Sequence, residues 1–211
     1  MNILVTGAKG NLGIAVVKTF LNKNSKVFAC ISPRDQSLEI KDENLSVFPL
    51  DLNDAEACIT LTNNIIEKHF KVDAAVLTVG GFAIGSIENV SVADFEKMIA
   101  LNFYTAFNMA QPLLKQMKQQ EKGGKIILIG SEPGRDIGKA KGTVAYAFSK
   151  SLIFRLAELI NAEGKDKNIF SHVIIPTTID TPQNRAAMPN ADFSKWQTPE
   201  SIANEIADLC N

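Results

Sequence analysis

Near the N-terminus the chain reads Thr6-Gly7-Ala8-Lys9-Gly10-Asn11-Leu12-Gly13, and this segment indicates the architecture more strongly than any other. The apolar run before it suits a buried strand, and residues 14–23 after it have a helical pattern. A strand, a glycine turn and a helix in this order predict a dinucleotide-binding site. Gly7 would permit the tight turn, Gly10 the approach of a pyrophosphate, and Gly13 the close packing of helix on strand. The simpler interpretation is an ordinary glycine turn.

Strand-like and helix-like segments alternate along the rest of the chain. Short apolar runs occur at 26–31, 45–49, 72–78, 125–130 and 169–175, and helical patterns at 54–70, 92–120, 144–163 and 199–209. Such alternation predicts a single α/β domain over residues 1–211, a doubly wound, Rossmann-type parallel sheet with helices on both faces. A ligand would bind at the carboxyl ends of the strands. Pro112 should kink the long middle helix or mark a restart.

Composition narrows the class of protein. The 211 residues are 45% hydrophobic, and 22 basic against 23 acidic side chains give a net charge of −1. This balance gives no reason to propose nucleic acid or a membrane surface as partner. Three scattered cysteines, Cys30, Cys58 and Cys210, predict free thiols in a reducing, cytoplasmic compartment. Two isolated histidines and no Cys or His cluster argue against a metal site.

A second motif lies at Tyr146-Ala147-Phe148-Ser149-Lys150. Tyr146 and Lys150 are one helical turn apart, so their side chains share a face. A Tyr hydroxyl is a weak acid, and a neighbouring cation would lower its pKa and make it a usable proton donor. A Tyr and a Lys at this spacing also occur as an ordinary surface pair.

Taken in order, these motifs resemble those of the short-chain dehydrogenase/reductase family over nearly the whole chain. The resemblance ends one element early, because the family usually adds a strand after the helix ending near Leu209. It implies a catalytic tetrad and a set of nicotinamide-dinucleotide contacts beyond the glycine turn. The tetrad would be Asn102, Ser131, Tyr146 and Lys150; the cofactor contacts would be Gly7, Lys9, Gly10, Asn11, Leu12, Gly13, Ser32, Arg34, Asp51, Leu52, Gly80, Gly81, Tyr146, Lys150, Pro176 and Thr178.

The resemblance also implies a role for each tetrad member. Tyr146 would supply a proton while a reduced nicotinamide delivers hydride to a C=O or C=N group. Lys150 would lower the pKa of Tyr146 and bind the nicotinamide ribose. Ser131 would hydrogen-bond the substrate oxygen, and Asn102 would anchor a water that relays protons. Ser131 could instead only cap the loop after its strand, and Asn102 could be a helix-kink residue.

The segment from Pro176 to Trp196 is similar to the substrate loop of dihydropteridine reductases, as is the turn at 80–83. We therefore expect a lid at about 177–197 and a flat substrate, such as a quinonoid dihydropterin or another small conjugated carbonyl. Phe82, Phe193 and Trp196 would contact it together with Ser131 and Tyr146. Those reductases generally lack the Ser and Asn of the tetrad, and both are present here.

The residues after the second predicted strand bear on the choice of cofactor. NAD-specific members of such folds place an acid there, and this chain has Ser32, followed by Arg34. A hydroxyl, a guanidinium and Lys9 in the glycine turn would accept a 2′-phosphate. The sequence thus favours NADP(H). NAD(H) would be preferred if Asp35 turned inward.

Two further expectations concern assembly and activity. The stripe Phe148, Leu152, Leu156, Leu159 and Ile160 reads as core, and Ile153 with Phe154 widens the apolar surface. The family resemblance implies that this helix pairs across a subunit interface in a homodimer or homotetramer, although the pattern also suits a monomer. The small-molecule reductase has one rival from another class, a nucleotide-sensing protein without turnover. A sensor would have no need for the complete tetrad.

Overall fold

The computed structural model describes residues 1–35 and 37–210. The strands are β1 (Asn2–Thr6), β2 (Lys26–Ile31), β3 (Leu45–Pro49), β4 (Ala74–Leu77), β5 (Gly124–Ile129) and β6 (Ile169–Ile174). Within the described ranges they form one six-stranded parallel sheet in the order β3-β2-β1-β4-β5-β6. The order reverses at β1, between the crossovers to β2 and β4, which is where such sheets bind their ligands. The predicted doubly wound, Rossmann-type fold is confirmed.

The described part of the chain has eight α-helices, of which the first six lie between strands and the last two follow the final strand. They are α1 (Asn11–Asn22), α2 (Ala55–His69), α3 (Val92–Ile99), α4 (Thr105–Met117), α5 (Glu132–Arg135), α6 (Val144–Gly164), α7 (Pro182–Ala187) and α8 (Pro199–Cys210). A π-helical segment, Ala100–Tyr104, joins α3 to α4, and short 3₁₀ turns follow at Ile137–Lys139, Lys165–Lys167 and Phe193–Lys195. Among the described residues, none of these helices has the length and apolar character that a membrane crossing requires.

Two apolar layers pack against the sheet, one on each face, because successive side chains of a strand point to opposite faces. Ile3 and Val5 of β1 face α1 and α8, and Leu4 between them faces α2, α4 and α6. The first layer is built on α1 packing against α8, and the second on α4 packing between α2 and α6. Both faces of the sheet are therefore covered, as the alternation of segments predicted.

The middle of the chain differs from the prediction of one helix kinked or restarted at Pro112. The helix runs through Pro112, and the interruption is the π-helical segment that contains Asn102. A π turn accommodates one extra residue and rotates the side chains beyond it. Here the extra residue turns Asn102 inward, where it bonds to groups outside its own helix. Asn102 therefore lies where the α-helical geometry is interrupted, and the interpretation of it as a helix-kink residue stays a prediction.

The residues predicted as one core stripe on α6 lie on two different faces of that helix. Leu156 and Ile160 are buried against the sheet, whereas Phe148 and Leu159 are 53% and 62% exposed. Residues 148 and 159 are offset from the buried face by about a quarter turn, because a helix advances 3.6 residues per turn. The prediction that Phe148 and Leu159 belong to the core is wrong.

The three cysteines are buried free thiols. Burial raises the pKa of Cys58 and of Cys210 to about 11, and it raises that of Cys30 further, with the neighbouring Cys58 adding to the effect. All three thiols are therefore protonated and inert near neutral pH, because the thiolate is the reactive form.

Candidate active site

The glycine turn joins β1 to α1 in a form that only small residues permit. Gly7 has φ +63°, and its carbonyl accepts a hydrogen bond of 2.9 Å from the Gly10 N–H. A Cβ on Gly13 would lie 2.1 Å from the Gly7 oxygen, so any side chain there would displace the turn. Among the described residues no side chain caps the start of α1, which leaves its first N–H groups available to an anion. These features fit the pyrophosphate of a dinucleotide.

A cleft of about 250 Å³ opens beside this turn, where an adenosine would lie. Its lining brings together the glycine turn and the segments after β2, β3 and β4: Gly7, Lys9, Gly10, Cys30, Ile31, Ser32, Pro33, Asp35, Leu50, Asp51, Leu52, Asn53, Val79, Leu101 and Thr105. Arg34, predicted to contact the cofactor, is exposed and is not part of this lining, so its contact with the cofactor stays a prediction. Asp35 lies inside and forms a 2.9 Å ion pair with Lys9.

Ser131 and Tyr146 meet beyond the carboxyl end of β5. The Ser131 hydroxyl accepts a 3.2 Å hydrogen bond from the Gly134 N–H and so caps α5. It also lies near the Tyr146 hydroxyl, whose pKa it lowers. The capping interpretation is confirmed, and the cap fixes where the Ser131 oxygen lies. The catalytic role of Ser131 stays a prediction.

The electrostatics of Tyr146 and Lys150 differ from the expectation. Burial raises the pKa of Tyr146, and only the neighbouring Ser131 hydroxyl opposes this effect. The Lys150 ammonium donates a 2.8 Å hydrogen bond to the Ile129 carbonyl, and burial lowers its pKa to about 8. The predicted lowering of the Tyr146 pKa by Lys150 is therefore wrong for this arrangement, because desolvation dominates both groups. Tyr146 is protonated at neutral pH and can donate.

Asn102 is fully buried, and its side-chain hydrogen bonds are well defined. Its Oδ1 accepts from the Gly81 N–H at 2.8 Å, so its Nδ2 must be the group that donates to the Gly81 carbonyl at 3.2 Å and to the Ser149 hydroxyl at 2.9 Å. Both amide protons are engaged within the protein. A water relay through this residue would have to use its remaining acceptor capacity.

The turn after β4 lies against these groups. A Cβ on Gly80 would come within 2.8 Å of the Asn102 Oδ1 and 3.0 Å of the Lys150 Nζ. The Phe82 ring meets the Tyr146 ring edge to face, with 4.9 Å between centroids. Gly80, Gly81 and Phe82 therefore lie beside the Asn102, Lys150 and Tyr146 side chains, and their contacts with cofactor and substrate stay predictions.

The segment predicted as a lid is a compact unit attached at its base. Gln197 pairs with the strand-like segment before α7: its N–H donates to the Thr178 carbonyl at 3.1 Å, and its carbonyl accepts from the Asp180 N–H at 2.8 Å. Pro176 lies partly buried where this segment leaves β6. The Asn11 amide donates to Gln183 of α7 at 3.0 Å, which joins the segment to the glycine turn.

The lid aromatics contact each other. Phe193 and Trp196 are 4.7 Å apart between centroids, and the Arg185 guanidinium lies 4.8 Å from the centre of the Phe193 ring. A 2.7 Å bond to Asp180 holds Arg185 in turn. The structure thus brings Phe82 to Tyr146, and it places Phe193 and Trp196 in a separate cluster within the lid.

Sequence reasoning missed two contributors to this site. Ser149 was quoted only as part of the Tyr146 motif, although its position three residues after Tyr146 is one from which a Ser hydroxyl can bond back to a helix carbonyl. Gln183 gave no signal, because its contact with Asn11 spans 172 residues and depends on the fold.

Comparison with known proteins agrees with this geometry. The short chain dehydrogenase family model matches residues 1–192. The chain is 31% identical to a dihydropteridine reductase of Dictyostelium discoideum, over 97% of this chain and 85% of that protein. It is 26% identical to a cyclic-di-GMP-binding biofilm dispersal mediator protein of Escherichia coli, over 98% and 88% of the two chains. The solved structure of ElxO with NADP bound superposes with a TM-score of 0.90 at 24% identity, covering 100% of this chain and 91% of that one.

The chain belongs to the short-chain dehydrogenase/reductase family. It is an NAD(P)-dependent oxidoreductase of that type. The sequence-based identification of the family is confirmed.

Proposed function

We propose that this protein is a reductase that transfers hydride from a reduced nicotinamide to a flat conjugated C=N or C=O group, with quinonoid dihydropterin as the first candidate substrate. The observation that carries the proposal is the edge-to-face packing of Phe82 on Tyr146, whose pKa the neighbouring Ser131 hydroxyl lowers. A bound nicotinamide supplies the hydride, and the protein supplies orientation and the proton.

Each residue contributes a distinct part of that chemistry. The hydroxyl of Tyr146, kept protonated by burial, donates the proton to the substrate atom that gains negative charge. Ser131 holds that atom near the Tyr hydroxyl. The buried Lys150 ammonium lies beside Gly80 and can bind a ribose hydroxyl of the cofactor. Quinonoid dihydropterin takes up one hydride and one proton, so this set balances the reaction.

The aromatic residues support a flat substrate. Phe82 is 61% exposed and packs edge to face on Tyr146, so its ring offers a wall to a planar ligand. Phe193 and Trp196 would act through the lid, as a rigid cluster that closes over the ligand. The 31% identity to a dihydropteridine reductase favours a pterin among flat compounds.

A kinetic screen tests the proposal. Oxidation of NADPH and of NADH would be followed with quinonoid dihydropterin, simple quinones and acetoacetyl-CoA as acceptors. We expect quinonoid dihydropterin or a quinone to be reduced fastest, and Tyr146→Phe to lower kcat about 100-fold or more with little change in cofactor affinity. Near-normal turnover of the Phe variant would remove Tyr146 from the mechanism.

We further propose a preference for NADPH, resting on Ser32 and Lys9 in the cleft. Asp35 opposes it, because its carboxylate neutralises Lys9 and would repel a 2′-phosphate. Lys9→Gln should weaken NADPH binding about 10-fold and leave NADH binding nearly unchanged, and Asp35→Asn should tighten NADPH binding. Calorimetric titration measures both. The matched control is Arg34→Ala, which removes a neighbouring cation outside the cleft; a larger effect there than at Lys9 would contradict the assignment.

One relative favours a second candidate function. The cyclic-di-GMP-binding mediator protein is named for nucleotide binding, so this chain could bind a nucleotide without turnover. The same screen separates the two. A protein that binds a dinucleotide tightly and reduces none of the acceptors would be a sensor.

A further inference from the structure

We propose that Ser149 is a positioning residue of the active site, which ties the turn after β4 to the first turn of α6 and thereby sets the Phe82 ring against Tyr146. The proposal rests on the proposed reductase function, in which Tyr146 is the proton donor.

The hydroxyl of Ser149 has a single consistent hydrogen-bond arrangement. It donates to the Tyr146 carbonyl at 2.8 Å and accepts from the Asn102 Nδ2 at 2.9 Å. The Nδ2 assignment follows from the Gly81 N–H, which can only donate and which points to the Asn102 Oδ1. Ser149 and Asn102 are both fully buried, so no water can replace either bond at its outer side.

These bonds close a ring of contacts around the proton donor. Ser149 holds Asn102, and Asn102 holds Gly81 by both its N–H and its carbonyl. Phe82 follows Gly81 directly, and its ring packs on Tyr146, whose carbonyl binds Ser149 again. This closed ring of contacts joins three elements that are far apart in sequence: the turn after β4, the π-helical segment and α6.

Loss of the Ser149 hydroxyl would break this closed ring of contacts at its most buried point. In Ser149→Ala one Asn102 amide proton is left with the Met98 Sδ, a weak acceptor 3.8 Å from Nδ2, so Asn102 must either shift or lose a strong hydrogen bond. Either response loosens Gly81 and lets Phe82 move away from Tyr146. Solvent then reaches the Tyr hydroxyl, and the pKa of Tyr146 falls toward its ordinary value because less of the burial effect remains.

Hydrogen exchange tests this without any substrate. We expect the Gly81 amide of Ser149→Ala to exchange about tenfold or more faster than in the wild type, with little change elsewhere in the sheet. Thr62→Val is the matched control, because the Thr62 hydroxyl is also buried and bonds back to its own helix at Cys58, 2.9 Å away. It should speed exchange in α2 and leave Gly81 unchanged. Equal exchange at Gly81 in both variants would overturn the proposal.

Kinetics provide the second readout. Ser149→Ala should lower kcat about tenfold, change the cofactor dissociation constant less than about threefold, and move the alkaline limb of the kcat profile to lower pH. Ser151→Ala, which removes a hydroxyl that donates to the Phe148 carbonyl on the same helix, should leave kcat and its pH profile unchanged. In an Asn102→Ala background the Ser149 substitution should have little further effect. An additive effect, or an unmoved pH profile, would contradict positioning even if the reductase activity stands.

Discussion

At the scale of single residues, burial of the Lys150 ammonium in the site destabilises the folded protein. Lys150 has its pKa lowered to about 8 by burial, from an ordinary value of 10.5. Between these values the unfolded chain binds more protons than the folded protein, so this group's contribution to stability rises with pH across that window. Below about pH 8 the full cost of burying the charge is present.

We therefore predict that Lys150→Met abolishes activity and raises the free energy of unfolding at pH 7. A shift of one pKa unit corresponds to about 1.4 kcal/mol, and loss of the bond to the Ile129 carbonyl offsets about 1 kcal/mol, so the net gain should be about 1 to 3 kcal/mol. The gain should shrink as pH rises from 8 to 10.5. Urea unfolding at several pH values measures it. The exposed Lys18→Met serves as control, and a gain that does not vary with pH would refute the explanation.

At the scale of elements, Gly10 and Gly13 of the glycine turn are constrained to different degrees by packing, which the sequence motif does not distinguish. An added Cβ would lie 2.1 Å from the Gly7 oxygen at Gly13 and 3.3 Å from it at Gly10. We predict that Gly13→Ala lowers the free energy of unfolding by about 2 kcal/mol or more, through overpacking against backbone. Gly10→Ala should cost about 1 kcal/mol or less, since Gly10 already has an extended conformation.

Both variants should bind the dinucleotide more weakly, because both disturb the approach of the pyrophosphate. Thermal unfolding and cofactor titration, run on the same samples, distinguish the two effects. Equal destabilisation by both substitutions would show that Gly13 is not a packing requirement.

Elements were predicted well where the sequence has regular local patterns. The six strands lie within two residues of their predicted bounds, because apolar runs between turn residues are a local property. The break at Ala100–Tyr104 was missed, since it depends on Asn102 reaching Gly81 and Ser149. The same reason explains the site: the spacing of Tyr146 and Lys150 was readable, but their pKa values depend on burial that only the fold defines.

At the scale of the whole molecule, the end of the π-helical segment and the outer surfaces of α4 and α6 carry exposed apolar side chains. Tyr104, Phe107, Phe148 and Leu159 are 50%, 37%, 53% and 62% exposed. Such a surface is typical of an interface, and we expect a homodimer or homotetramer in solution.

Leu159→Glu should shift the protein toward the monomer by at least a tenfold rise in the dissociation constant, because a carboxylate would be buried in the contact. Light scattering during size exclusion measures this. Phe70→Glu is the control, since Phe70 is apolar and 82% exposed but lies at the C-terminal end of α2 rather than on α4 or α6. A monomeric wild type would contradict the expectation directly.

The three buried thiols can report how often the segments around them open. Because Cys30, Cys58 and Cys210 are buried and protonated, a thiol reagent can modify each one only while the surrounding segment is open. Cys210, in the last turn of α8, should be modified first, and Cys30, at the end of a strand inside the sheet, last. Cys30 also lines the adenosine cleft, so bound dinucleotide should slow its modification more than that of Cys210. Mass spectrometry of the three labelled peptides would thus time the opening of the last helix and of the central sheet separately, in one sample and without any introduced probe.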